Sequence, residues 1–162
     1  MNVRIVTEVN GQTRELDVHP GTTLLDLLRE QLGITSVRRG CEEGQCGACT
    51  VLLDDRPVYG CLTLAVQADG RRLTTVEGLP TPPGGVHPLV QAFVDHHGLQ
   101  CGYCTSGLIL AAYALLRRNE APSPQEIRQS ISGNLCRCTG YVNIERAVAA
   151  AAASKTAGEW PR

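Results

Sequence analysis

In 162 residues the chain has eight cysteines but only one methionine, one tryptophan and one phenylalanine. Aromatic residues reach 4% against a hydrophobic fraction of 43%, which excludes large rings as the main source of stability and points to small cores stapled by metals or disulfides. A net charge of −1 from 15 basic and 16 acidic residues lacks the basic stripe of a nucleic-acid binder, and without an apolar run of about 18 residues no membrane insertion is expected.

The N-terminus, MNVRIVTEVN, has neither the basic nor the apolar region of a secretory leader, so the chain reads as cytoplasmic. In a reducing compartment thiols serve more naturally as metal ligands than as bridges. In chain order, residues 2–9 and 12–18 alternate as strands around Asn10-Gly11, a strong hairpin signal. Residues 22–32 place Leu24, Leu25, Leu27, Leu28 and Leu32 at helical spacing, with threonine before them and Gly33 after, and predict one amphipathic helix. Residues 50–53, 57–59 and 72–76 read as short strands. Together these make a small α+β unit of the β-grasp type over residues 1–79.

Residues 80–88, PTPPGGVHP, hold four prolines and two glycines and form a linker. Helices are predicted beyond it at 89–97, 106–118, 124–132 and 141–154, a compact helical bundle over 89–154. The third opens on a capping box, Ser123 with Glu126, and has Pro124 at its first position. Residues 155–162 show no periodicity and read as an irregular tail. The pairs Arg38-Arg39, Arg71-Arg72 and Arg117-Arg118 read as solvated ends of loops and helices.

The cysteines sort by half. Cys41, Cys46, Cys49 and Cys61 precede the linker; Cys101, Cys104, Cys136 and Cys138 follow it. The first set runs C-x4-C-x2-C with a fourth cysteine after eleven intervening residues, the plant-type [2Fe-2S] spacing. Gly40, Gly44 and Gly47 in GCEEGQCGAC let backbone close around a bulky inorganic core. The second set is CGYC and, after 31 intervening residues, CRC. Its spacing fits a second iron–sulfur cluster and leaves zinc competitive. Cys104 and Cys138 each stand just before a predicted helix, whose positive N-terminal end suits an anionic cluster.

With GCEEGQCGACTV, QCGYCTSG and GNLCRCTGYVNI in order, the chain resembles the small iron–sulfur subunit of the molybdenum hydroxylases, the xanthine dehydrogenase and aldehyde oxidoreductase family. The resemblance runs from the N-terminal hairpin to about Ala153. It implies a plant-type ferredoxin-like domain and a four-helix bundle, each with a [2Fe-2S] cluster on its four cysteines. It also implies electron flow from a molybdopterin centre in a large subunit, through the bundle cluster and then the ferredoxin-like one, towards FAD in a medium subunit. Gln100 would reach the pterin, with Cys138 facing the same ring. Ser106 stands where the family commonly has proline, and the helix start is expected to survive. No flavin-binding or molybdenum-binding sequence follows within the chain, so those modules are expected on separate chains.

Two rival readings remain: an independent two-cluster electron carrier, disfavoured by the near-neutral charge, and a structural zinc module. His19, His87, His96 and His97 read as exposed or capping, and Tyr103 as packing beside the cluster. No nucleophile, acid–base pair or phosphate loop stands out, so substrate chemistry is not expected within the chain.

Overall fold

The computed structural model describes residues 1–156 and Trp160. The chain opens as the hairpin its sequence predicts, β1 (Val3–Val9) and β2 (Gln12–Val18), with Asn10 and Gly11 at φ 51° and 78°. Two successive positive φ values match the right-handed twist of the flanking strands. After β3 (Thr50–Leu53), β4 (Arg56–Tyr59) and β5 (Arg72–Thr74), the strands form a mixed sheet in the order β2-β1-β5-β3-β4, with β1 parallel to β5.

Two expectations need correction here. The predicted single helix at 22–32 is a short α-helix, α1 (Leu24–Asp26), capped by the Thr23 hydroxyl, followed by a π-helical turn over Leu27–Gln31. The Leu32 amide reaches back to the Leu27 carbonyl at 3.1 Å, one residue beyond the α spacing, while Leu24, Leu25, Leu27 and Leu28 all stay buried. The strand expected to reach residue 76 stops at Thr74. The Asn10 side chain accepts from the Thr75 amide at 2.8 Å, and Val76–Gly78 turn as a 3-10 helix.

Beyond the proline-rich segment come α2 (Pro88–Asp95), α3 (Thr105–Arg118), α4 (Pro124–Ile131) and α5 (Val142–Thr156). The α4 capping box forms as predicted: the Glu126 amide donates to the Ser123 hydroxyl at 3.3 Å and the Ser123 amide to the Glu126 carboxylate at 2.7 Å. The expected irregular tail lies largely outside the described residues. Within them, Lys155 and Thr156 finish α5, the Lys155 ammonium donates to the Leu116 carbonyl at 2.6 Å, and Trp160 packs on His87 and Tyr113.

Strand β3 holds the halves together, because all four of its residues are buried. Val51 and Leu53 join Ile5, Val9, Leu73 and the α1 leucines in one core, and Leu52 points the other way into the core of Leu89, Phe93, Leu108 and Ile144. Helix α3 packs across β3 and β4. The chain is thus a sheet half and a helical half sharing one central strand, and the cysteine loops emerge where these halves meet.

Candidate metal centres

The first cysteine loop runs from the π-helical turn to β3 and is closed by a bond from the Arg38 amide to the Ala48 carbonyl at 3.2 Å. Its backbone folds inward around Cys41: the Gln45 and Cys46 amides both donate to that sulfur at 3.3 Å. Amide donation from Glu43, Cys46 and Gln45 holds the Cys41 thiol down at about 6, which favours the thiolate a metal needs. Cys49, buried at the mouth of β3, is pushed up to about 12 by burial and becomes a good ligand only with a cation to offset its charge. Cys61 follows β4, brought beside Cys49 by the bond from the Gly60 amide to the Cys49 carbonyl at 3.1 Å.

Two glycines explain why the loop fits so tightly. At Gly47, φ is 69° and an added Cβ would stand 2.3 Å from the Gly133 carbonyl oxygen; at Gly40 it would stand 2.6 Å from the Cys46 sulfur.

In the helical half Cys104 is the N-cap of α3, buried and pushed up to about 12, again chiefly by burial. Cys101 and Cys138 are exposed, with their sulfurs 3.6 Å apart. Cys136 accepts from the Thr139 hydroxyl at 3.1 Å. Cys101 and Cys138 thus form a close pair of thiols, while Cys41 with Cys46, Cys49 with Cys61, and Cys104 with Cys136 lie near enough to influence each other's ionisation. Two thiolates on one tetrahedral metal at about 2.3 Å stand roughly 3.8 Å apart, so the Cys101–Cys138 spacing suits one metal, and two such pairs in each half would suit a binuclear cluster.

Another observation supports the fit. The Thr105 hydroxyl, next to Cys104, is buried without a hydrogen-bond partner, a cost that a sulfur-rich group held by the neighbouring cysteine would relieve.

The two sets adjoin. A cavity of ≈ 170 Å³ is lined by Cys46 from the first and by Cys101, Cys104 and Cys138 from the second, with Tyr103 and Leu135. The Leu135 amide donates to the Cys46 carbonyl at 2.8 Å, so one hydrogen bond and the covalent step to Cys136 join the loops.

Gln100 lies at the exposed end of the second set, where its side-chain amide donates to the Cys138 carbonyl at 3.1 Å. Helix α3 begins at Thr105 with Ser106 in its first turn, and the Ser106 hydroxyl donates to the Ser36 carbonyl at 2.6 Å. Tyr103 does more than pack, since its hydroxyl donates to the Arg39 carbonyl at 2.5 Å. Arg39, read as solvated, binds Asp26 at 2.7 Å together with Glu30 and Glu42. His87 caps α2 as expected, its Nδ1 accepting from the Leu89 amide at 3.1 Å, but it does so fully buried.

Sequence reasoning missed Asn134 and Tyr141. Buried Asn134 donates to the Gly47 carbonyl, and the Tyr141 hydroxyl accepts from the Cys136 amide at 2.8 Å while donating to the Asn134 carbonyl. Both lie inside GNLCRCTGYVNI, and their proximity to the cysteines was the available signal.

The family of 2Fe-2S iron-sulfur cluster binding domains matches residues 7–74, and the [2Fe-2S] binding domain family matches residues 75–149. The nicotine 6-hydroxylase small subunit of Paenarthrobacter nicotinovorans is 49% identical over 146 residues, covering 90% of this chain and 87% of that one. Among solved structures, quinoline 2-oxidoreductase from Pseudomonas putida 86 superposes with a TM-score of 0.91 at 46% identity, covering 98% of both chains. Aldehyde oxidoreductase from Desulfovibrio gigas gives 0.91 at 44% identity over 98% of this chain and 18% of its own.

Proposed function

We infer the work of these residues from a family: the chain belongs to the iron–sulfur small subunits of the molybdenum hydroxylases. It is an electron-transfer subunit of an oxidoreductase complex and carries two [2Fe-2S] clusters, one in each matched domain. Such clusters supply one-electron oxidation and reduction when bound.

Cys41, Cys46, Cys49 and Cys61 hold the first cluster, and Cys101, Cys104, Cys136 and Cys138 hold the second. The observation that carries this assignment is the grouping of the eight thiols, four in each half. In this reading residues 1–79 are a β-grasp domain of plant-ferredoxin type, residues 89–154 a four-helix bundle, and 80–88 the connection between them. The Cys46 carbonyl, the Leu135 amide and Cys136 connect the two ligand loops by covalent bonds and one hydrogen bond.

The exposed face with Cys101, Cys138 and Gln100 receives the molybdenum-binding large subunit, and Gln100 reaches its pterin. In this reading a flavin-binding subunit is met near Cys61, where the neighbouring Leu62 is exposed. A cytoplasmic setting accords with eight unbridged cysteines, and no helix among the described residues is long and apolar enough to cross a membrane.

The test is cluster-resolved. The assembled enzyme should hold about four irons and four labile sulfides in this chain. Cys61→Ser should abolish one of two iron–sulfur signals in electron paramagnetic resonance of the reduced enzyme. Loss of both signals from a folded variant would overturn the assignment.

A further inference from the structure

The segment leading into Cys41 is held mainly by side chains acting on its carbonyls. Arg29 donates one Nη to the carbonyls of Thr35 and Val37, at 3.0 and 2.9 Å. Within the sheet half the Arg38 amide also donates to the Ala48 carbonyl at 3.2 Å, the Ser36 hydroxyl to Glu77 at 2.7 Å, and Arg39 pairs with Asp26 at 2.7 Å. Two contacts come from the helical half: Ser106 takes the Ser36 carbonyl at 2.6 Å and Tyr103 takes that of Arg39 at 2.5 Å. The Arg38 guanidinium also lies 5.9 Å from the centre of the Tyr103 ring. Tyr103 and Ser106 are both tied to the second set of cysteines. Tyr103 sits between Cys101 and Cys104 in sequence. Ser106 occupies the first turn of the helix that Cys104 caps.

We propose that Tyr103 and Ser106 are positioning residues that clamp the approach to Cys41 onto the start of α3, fixing the separation of the two iron–sulfur centres and hence the rate at which an electron passes between them. The inference rests on the ligand sets proposed above.

Three structural facts carry it. The two hydroxyls reach carbonyls three residues apart in one irregular segment, so together they set its rotation as well as its distance from α3. The segment has no strand or helix of its own to stiffen it, and apart from the Arg38–Ala48 main-chain bond its carbonyls at Thr35, Ser36, Val37 and Arg39 are held by side-chain donors. The clamp also borders the cavity that both cysteine sets line, to which Gly40 and Tyr103 both contribute. Asn134 and Leu135 fix the far side of the same loop, at Cys46 and Gly47. Without the clamp the approach to Cys41 keeps its ties to the sheet half, through Arg29, Ala48 and Asp26, but loses its two side-chain hydrogen bonds to α3 and the turn before it.

Neither hydroxyl touches a thiol in the structure, so losing one should leave the clusters assembled. Tyr103→Phe removes a single oxygen. Ser106→Ala removes the other donor, and Ser106→Pro does so with a residue the first helical turn accepts. The experiment uses the assembled enzyme with iron content measured for every variant. One readout is the magnetic interaction between the two reduced clusters, which falls with the cube of their separation; the other is the rate of electron passage between them after rapid mixing with substrate.

Each single variant should keep its iron, weaken the magnetic splitting and slow passage between the centres several-fold. The Tyr103→Phe/Ser106→Ala pair should show a non-additive loss, as two donors to one segment require. Ser106→Thr, which keeps the hydroxyl, should restore both readouts. Unchanged splitting and rate in an iron-replete double variant would overturn the proposal, and so would iron loss in Ser106→Ala that Ser106→Thr prevents, since the hydroxyl would then build a cluster rather than position it. If the double variant loses iron, the singles decide by the same readouts. A wild-type enzyme with only one cluster signal would instead overturn the ligand sets beneath the proposal.

Discussion

The side-chain amide of Asn134 donates to the main-chain carbonyl of Gly47 at 2.8 Å across 87 residues of sequence. The same nitrogen reaches the Thr50 hydroxyl at 3.1 Å, and that hydroxyl donates to the Gly47 carbonyl at 2.7 Å. Asn134 is only 3% exposed, so these partners replace the water it gave up. Gly47 is thereby the point where the first cysteine loop, β3 and the approach to Cys136 are fastened together.

Removing that fastening should cost stability. Asn134→Ala strips a buried donor and leaves its acceptors partly unmet, a loss of about 1–3 kcal/mol. Gly107→Ala tests the same contact from α3, since its Cβ would stand 2.4 Å from the Gly47 carbonyl oxygen and overpacking of this kind costs roughly 1–3 kcal/mol. Urea unfolding of the cluster-loaded enzyme, monitored by loss of iron–sulfur absorbance, should show lower midpoints for both variants. Wild-type midpoints would deny Gly47 its central place.

Gly40→Ala should act on one centre alone. Its new Cβ, 2.6 Å from the Cys46 sulfur, must displace a proposed ligand of the first cluster while touching none of the second. Paramagnetic resonance of the reduced enzyme should show one signal lost or shifted in g-values and the other as in wild type. A change confined to the other signal would reverse the assignment of ligands to halves.

The local signals were legible in the sequence because they are short-range. Asn10-Gly11 demands a tight hairpin whatever surrounds it, Ser123 and Glu126 cap α4 from within four residues, and the cysteine spacing sorts eight thiols between two halves. The remainder depends on contacts distant in sequence. Five leucines present the same face to an α-helix as to a π-helical turn, and the choice is made by the Leu32 amide reaching the Leu27 carbonyl. Thr75 leaves its strand because the Asn10 side chain takes its amide. His87 sits in a proline- and glycine-rich segment that reads as exposed, yet Tyr113 and Trp160 close over it edge-on at 5.4 and 4.4 Å. Asn134 offers no pattern at all until Gly47 is brought beside it.

His87 makes stability depend on pH. Burial lowers it from 6.5 to about 4, so the ring is neutral in the folded chain at neutral pH. Between those values the unfolded chain binds a proton that the folded chain refuses. Stability is therefore complete above about pH 6.5 and falls as pH drops towards 4, by on the order of 3 kcal/mol in full. His87→Asn keeps a capping side chain at the start of α2 and removes the titration. Acid lability of the clusters is common to both proteins, so the difference between their stability–pH curves isolates the histidine, and it should widen below pH 6.5. Parallel curves from pH 7 to pH 5 would show that the buried ring does not titrate in this range.

Gln100→Ala tests the port to the molybdenum-binding subunit. The Gln100 amide stands at the exposed end of the second cysteine set, with one N–H committed to the Cys138 carbonyl at 3.1 Å. A primary amide has a second donor and an acceptor besides, which suits a pterin edge presenting both kinds of group. The bond to Cys138 also fixes the loop bearing one of the two exposed thiols, so Gln100 would hold partner and ligand loop in a single orientation. Truncation should remove an interaction worth on the order of 1 kcal/mol, about fivefold in an equilibrium, while leaving iron, sulfide and molybdenum contents unchanged. Substrate should reduce the molybdenum centre at the wild-type rate, and the absorbance of the iron–sulfur centres should bleach more slowly. Gln100→Glu sharpens the test, because it keeps the length and acceptor but gives up both N–H donors. It should match alanine if donation matters and wild type if only packing does. Wild-type bleaching in Gln100→Ala, with cofactor contents intact, would remove Gln100 from the port.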